Sequence, residues 1–89
     1  MLVARRYVVT GRVQGVGFRW YTHDVAAREG IHGWVRNLAD GSVEVVAEGG
    51  EEVLGQLEAR LRAGPSFASV TAVDRAPVPP RGDAGFHIR

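Results

Sequence analysis

The sequence predicts one α+β domain over residues 1–89, with two helices on one face of a mainly antiparallel sheet in the order β-α-β-β-α-β. Three observations carry this. Short β-branched and aromatic runs alternate with two longer stretches that place apolar residues at helical spacing. Each helical stretch has a single apolar stripe, so each needs only one surface to cover it. Ala39-Asp40-Gly41-Ser42 separates two strand-like runs, and Asp-Gly is a strong hairpin signal.

The first strand is expected from about Arg5 to Val13, with Tyr7, Val9, Gly11 and Val13 on one face and Arg6, Val8, Thr10 and Arg12 on the other. A helix follows from about Phe18 to Glu29, presenting Phe18, Thr22, Val25 and Ala26, and Gly30 is its expected stop. Strand two is about Gly33 to Leu38. Strand three is Ser42 to Glu48, a half-buried strand that Gly49-Gly50 is expected to break. The second helix runs from about Glu51 to Ala63, with Leu54, Leu57 and Leu61 as its stripe and Gly64-Pro65 as its end. Its carboxylates Glu51, Glu52 and Glu58 read as a solvated face. Strand four is about Ser69 to Ala76, Pro77 to Asp83 is a loop, and Gly85 to Arg89 is a short final strand. This is the ferredoxin-like arrangement, with the second sheet face partly exposed.

Composition narrows the chemistry. There is no cysteine, so no disulfide, thiolate metal site or thiol nucleophile exists. All eleven basic residues are Arg, which removes Schiff-base chemistry by lysine. Net charge is only +1, which argues against a nucleic-acid or membrane surface driven by bulk charge. No apolar run spans a bilayer and no signal-peptide pattern is present, so a cytoplasmic location is expected.

The most informative stretch is Gly11-Arg12-Val13-Gln14-Gly15-Val16-Gly17-Phe18-Arg19. A strand ends, two glycines turn the chain, and a helix opens. The first turn of a helix has N–H groups without internal partners. No Ser, Thr, Asp or Asn lies between Gln14 and Arg19 to cap them. An external anion can take that place, favoured by the helix dipole. Arg19 falls in the first turn, where a cation opposes the dipole unless an anion offsets it. Gln14, Gly15, Val16, Gly17, Phe18 and Arg19 are therefore the candidate phosphate-binding residues. The stretch is neither a dinucleotide fingerprint, since Trp20 occupies the third glycine position, nor a Walker A loop. Many Gly-rich turns of this kind bind nothing.

Few other residues can do chemistry. His23, His32 and His87 match no zinc spacing and read as surface or edge residues; His23, four residues after Arg19, can share its helix face. Asn37 closes the run Gly33-Trp34-Val35-Arg36-Asn37-Leu38. Asn is disfavoured inside strands, so it is either a turn residue or a site residue. Alternation places it on the face of Val35.

Together these stretches resemble the acylphosphatases, small enzymes that hydrolyse the carboxyl-phosphate bond. The carriers are Gly11 to Arg19, then Gly33-Trp34-Val35-Arg36-Asn37, then Asp40-Gly41-Ser42-Val43-Glu44, with Gly64-Pro65, Ala68 and Val70 also fitting. The resemblance covers nearly the whole chain. It implies that Arg19 binds the substrate phosphate, that Asn37 orients the attacking water, and that both are catalytic. It implies a small acyl phosphate as substrate, with no cofactor, no metal, no nucleic-acid partner and no membrane. Inorganic phosphate or sulfate is then a competing anion, and a monomer suffices. Two other classes stand beside it. An anion-binding module has the same cradle but no use for Asn37. An RNA-binding ferredoxin-like domain needs aromatics on the exposed sheet face, and strand three has none.

Overall fold

The computed structural model describes residues 2–89. Seven elements follow in order: β1 (Leu2–Arg12), α1 (Phe18–Arg28), β2 (His32–Asn37), β3 (Val43–Gly50), α2 (Glu51–Ala63), β4 (Ser69–Pro77) and β5 (Phe86–Ile88). The five strands form one sheet in the order β4-β1-β3-β2-β5. Every pairing is antiparallel except β2 with β5, which is parallel. Among the described residues no helix is long and apolar enough to cross a membrane.

Both helices lie on the sheet face that carries Tyr7, Val9, Val35, Val43 and Val45. Phe18, Thr22 and Ala26 of α1 and Leu54, Leu57 and Leu61 of α2 are buried against it. The Tyr7 hydroxyl, drawn into this core, donates to the Leu54 carbonyl at 3.2 Å, as a buried phenol requires. Val25 lies at the edge of the stripe, half-buried. Helix α1 stops as its sequence predicts. Gly30 N–H reaches the Ala27 carbonyl and Ile31 N–H reaches the Ala26 carbonyl, a Schellman end closed by the buried pair Ile31 and Ala26.

Strand β3 departs from expectation in two ways. It does not break at Gly49-Gly50 but continues into α2, because Gly49 pairs with Val3 and Gly50 with Leu2 of β1. It is also not half-buried: every residue from Val43 to Gly49 is buried. Alternation alone assigns Glu44, Val46 and Glu48 to solvent. The sheet order decides otherwise, since β3 lies at the centre, between β1 and β2.

The second sheet face is closed by charged arms rather than left open. Glu44 receives hydrogen bonds from Arg6 Nε and from Arg36 Nε, the latter at 2.6 Å. The Arg36 and Arg89 guanidiniums lie 5.1 and 4.6 Å from the centroid of the buried Trp34 ring, within cation–π range. The β4–β5 loop folds back so that Arg81 and Gly82 N–H donate to Glu48 at 3.0 and 3.1 Å. Glu58 likewise is no simple surface charge, for it bridges Arg62 and Arg75 at 3.0 and 3.1 Å. Burial pushes all three carboxyls up, but these hydrogen bonds outweigh it and hold Glu44, Glu48 and Glu58 below the ordinary glutamate range. Lowered folded-state pKa values contribute stability above the ordinary range, and that stability is lost as pH falls through them.

Candidate active site

Strand β1 delivers Val13 to the core and Gln14 to the edge of the hairpin that joins β2 and β3. The chain then turns through Gly15 and Gly17, whose φ angles are 73° and 78°. These lie in the left-handed region that side chains rarely adopt, so glycine is required here. Nothing lies within 4 Å of a Cβ built at either position, so the backbone there faces open space.

Gly17 is the N-cap of α1, and no side chain caps that end. The first helical bond runs from Tyr21 N–H to the Gly17 carbonyl at 3.0 Å. The first turn contains no acidic residue. It does contain Arg19, half-buried, whose Nη1 donates to the Arg89 carbonyl at 2.8 Å. That bond brings the last strand's end to the start of α1 and holds the guanidinium beside the turn.

Asn37 arrives from a different element. It is the last residue of β2, paired with Val43, and it is exposed where its neighbour Val35 is fully buried. The adjoining turn makes its own hydrogen bonds. Leu38 N–H meets the Ser42 carbonyl at 2.8 Å, Gly41 N–H meets the Leu38 carbonyl, and Ser42 bonds through its N–H and hydroxyl to Asp40. Ser42's hydroxyl and backbone bonds also hold the Asp40 carboxyl below its ordinary range. Asn37 takes no part in that network.

Gln14 joins the two parts. Its Nε2 donates to the Leu38 carbonyl at 2.8 Å and to the Ser42 carbonyl at 2.9 Å. Both amide hydrogens are thereby used, so the side chain has no donor left for a ligand. The turn before α1 is thus tied to the hairpin that carries Asn37.

The result is a cleft of about 160 Å³ lined by Val13, Gly15, Gly17, Phe18, Arg19, Trp20 and Asn37. Arg19 and Asn37, eighteen positions apart in sequence, share it. A larger cleft of about 260 Å³ lies between the helices, beside Val25, Arg28 and Arg60, but it has neither the glycine turn nor Asn37. Trp20 lines the cleft without belonging to any motif of the sequence. Its signal is a large apolar residue in the first turn that falls off the buried stripe of Phe18, Thr22 and Ala26. No histidine lines the cleft: His32 and His87 bond to the carbonyls of Asp83 and Ala84, and His23 packs behind, between Trp20 and Phe86.

The fold defines the class, a small ferredoxin-like α+β domain, and its cleft joins an uncapped helix start, an arginine and a strand-end amide. The comparisons make this specific. The family model described as Acylphosphatase matches residues 5–88. An acylphosphatase of Pseudomonas paraeruginosa is 53% identical over 81 residues, covering 91% of this chain and 89% of that relative. One from Methanothrix thermoacetophila is 43% identical over 88 residues, covering 99% and 98%. Among solved structures, the Bacillus subtilis acylphosphatase superposes with a TM-score of 0.95 at 38% identity, covering 100% of this chain and 99% of that one. The chain belongs to the acylphosphatase family, whose reaction is hydrolysis of the carboxyl-phosphate bond of acyl phosphates.

Proposed function

We propose that the cleft at the start of α1 is where this hydrolysis occurs, with Arg19 and Asn37 as its catalytic residues. The observation that supports this most is the meeting of an uncapped helix N-terminus, Arg19 and Asn37 in one cleft. The backbone N–H groups from Gly15 to Arg19 hold the phosphoryl oxygens, as free donors at a helix start do. Gln14 contributes through its backbone and through the tie to the hairpin, since its side-chain donors are committed. Arg19 adds directed, charged hydrogen bonds from a planar guanidinium.

Phosphoryl transfer demands positioning and charge compensation more than covalent chemistry. An acyl phosphate has a good carboxylate leaving group, so the water needs orientation rather than strong activation. Asn37 provides an amide donor and a carbonyl acceptor with no negative charge beside the phosphate. The substrate phosphate itself takes the proton from the water. The cradle supplies the positive field, so turnover requires no divalent cation. The proposed working unit is the monomer, acting in the cytoplasm, because Arg19, Asn37 and the glycine turn meet within a single fold.

The test is phosphate release from benzoyl phosphate, with a phosphate monoester as control, followed by inhibition and melting with inorganic phosphate at constant ionic strength. Activity persists in EDTA. Phosphate competes with substrate, and at about 100 times its Kd it adds roughly 2.7 kcal/mol to stability. A melting point indifferent to phosphate removes the cradle from this site.

A further inference from the structure

Among the described residues three large apolar side chains are strongly exposed: Leu2, Trp20 and Phe67. Of these only Trp20, 66% exposed, lines the cleft that holds Arg19 and Asn37. It is not serving the core, since α1 buries Phe18, Thr22 and Ala26 instead. Nor is it loose. Its ring stands edge-on to His23, with centroids 6.1 Å apart at 73°, and His23 in turn packs 6.3 Å from the buried Phe86. The indole packs against His23 and lines the cleft while staying largely exposed. A ligand that covers this indole gains free energy from the apolar surface it removes from water.

The substrate's chemistry says what can. With its phosphate held at the start of α1, an acyl phosphate carries its acyl group only a bridging oxygen away from phosphorus. That group must run along the cleft wall. We infer that Trp20 is the platform for the acyl group, and that the site selects aromatic and other large apolar acyl phosphates over acetyl phosphate. This rests on the phosphate site proposed above. An aryl group covers the indole and gains an aromatic pairing, whereas a single methyl covers little of it.

Wild type, Trp20→Ala and Trp20→Phe are compared with benzoyl phosphate and acetyl phosphate, with inorganic phosphate inhibition measured on each. Wild type favours benzoyl phosphate. Trp20→Ala raises its KM for benzoyl phosphate about tenfold, equivalent to about 1.4 kcal/mol, and leaves acetyl phosphate within about twofold. The phosphate inhibition constant is unchanged, and Trp20→Phe restores most of the preference. Equal losses on both substrates, or none on benzoyl phosphate, overturn the platform while phosphate inhibition still holds. Absence of phosphate inhibition in the wild-type enzyme overturns the cradle, and the platform with it.

Discussion

The two helices begin differently. Neither has a side-chain cap. Helix α2 starts directly from β3 through Gly50 in extended conformation, and its first turn carries Glu51 and Glu52. It brings its own anions to the positive end of its dipole. Helix α1 starts from Gly17 in left-handed conformation, has no acidic residue in its first turn, and places Arg19 there instead. Two helices of one small domain thus solve the same electrostatic problem in opposite ways. One carries carboxylates at its N-terminus, while the other leaves that end open beside Arg19, where we propose that an anion binds. The lesson is that an uncapped helix start is informative only when the alternatives are also missing, as they are at α1 and not at α2.

That contrast can be broken at several points. The largest effect is expected from Arg19→Lys, which preserves charge but not the planar, paired contacts. Steady-state kinetics on benzoyl phosphate should show kcat/KM down by about a thousandfold, as for loss of an oxyanion donor. Near-wild-type values would show that charge alone suffices at α1.

Asn37→Ala comes next. It leaves the α1 terminus untouched and removes only the group proposed to hold the water. We expect kcat to fall about a hundredfold while phosphate affinity, followed by inhibition, stays nearly constant. Lost phosphate affinity would move Asn37 into the anion cradle. Normal kcat with a lowered melting point would return it to the hairpin.

Gly17→Asp makes α1 resemble α2 by giving it an internal anion. A carboxylate at the N-cap accepts the first-turn N–H groups, and Asp tolerates left-handed backbone better than most residues. The phosphate inhibition constant should rise about tenfold or more through like-charge repulsion. Its melting point without phosphate should exceed that of Gly17→Ala, which has the strain without the cap. Unchanged phosphate binding would mean that the helix terminus is not the anion site.

The smallest effect is the converse one. Glu51→Gln and Glu52→Gln each remove an anion from the start of α2. Thermal or denaturant unfolding should register a loss of about 0.3–1 kcal/mol for each. Neither variant should alter phosphate inhibition, because α2 has no part in the cleft. A change in that inhibition would couple the two termini.

The features that the sequence settled by itself are local ones. The spacing of Leu54, Leu57 and Leu61 sets both the range and the buried face of α2, and Gly30 ends α1 where the apolar stripe ends. The glycines at 15 and 17, the missing cap and Arg19 are all readable within a few positions, because backbone freedom, capping and the helix dipole act over one turn. What only the tertiary structure decided depends on which strands become neighbours. Alternation marks Glu44, Val46 and Glu48 as outward-facing, but it cannot say that β3 lies in the middle of the sheet and that Arg6, Arg36 and the 81–82 backbone close over them. Likewise, Asn37 is ambiguous in sequence between turn and site. The sheet order and the Gln14 bonds bring the end of β2 beside the start of α1, and that placement supports the proposed site role. Trp20 joins that cleft and Arg89 reaches Arg19 for the same reason. Burial and proximity are properties of strand order and register, and these emerge from the simultaneous packing of all five strands rather than from any local run of residues.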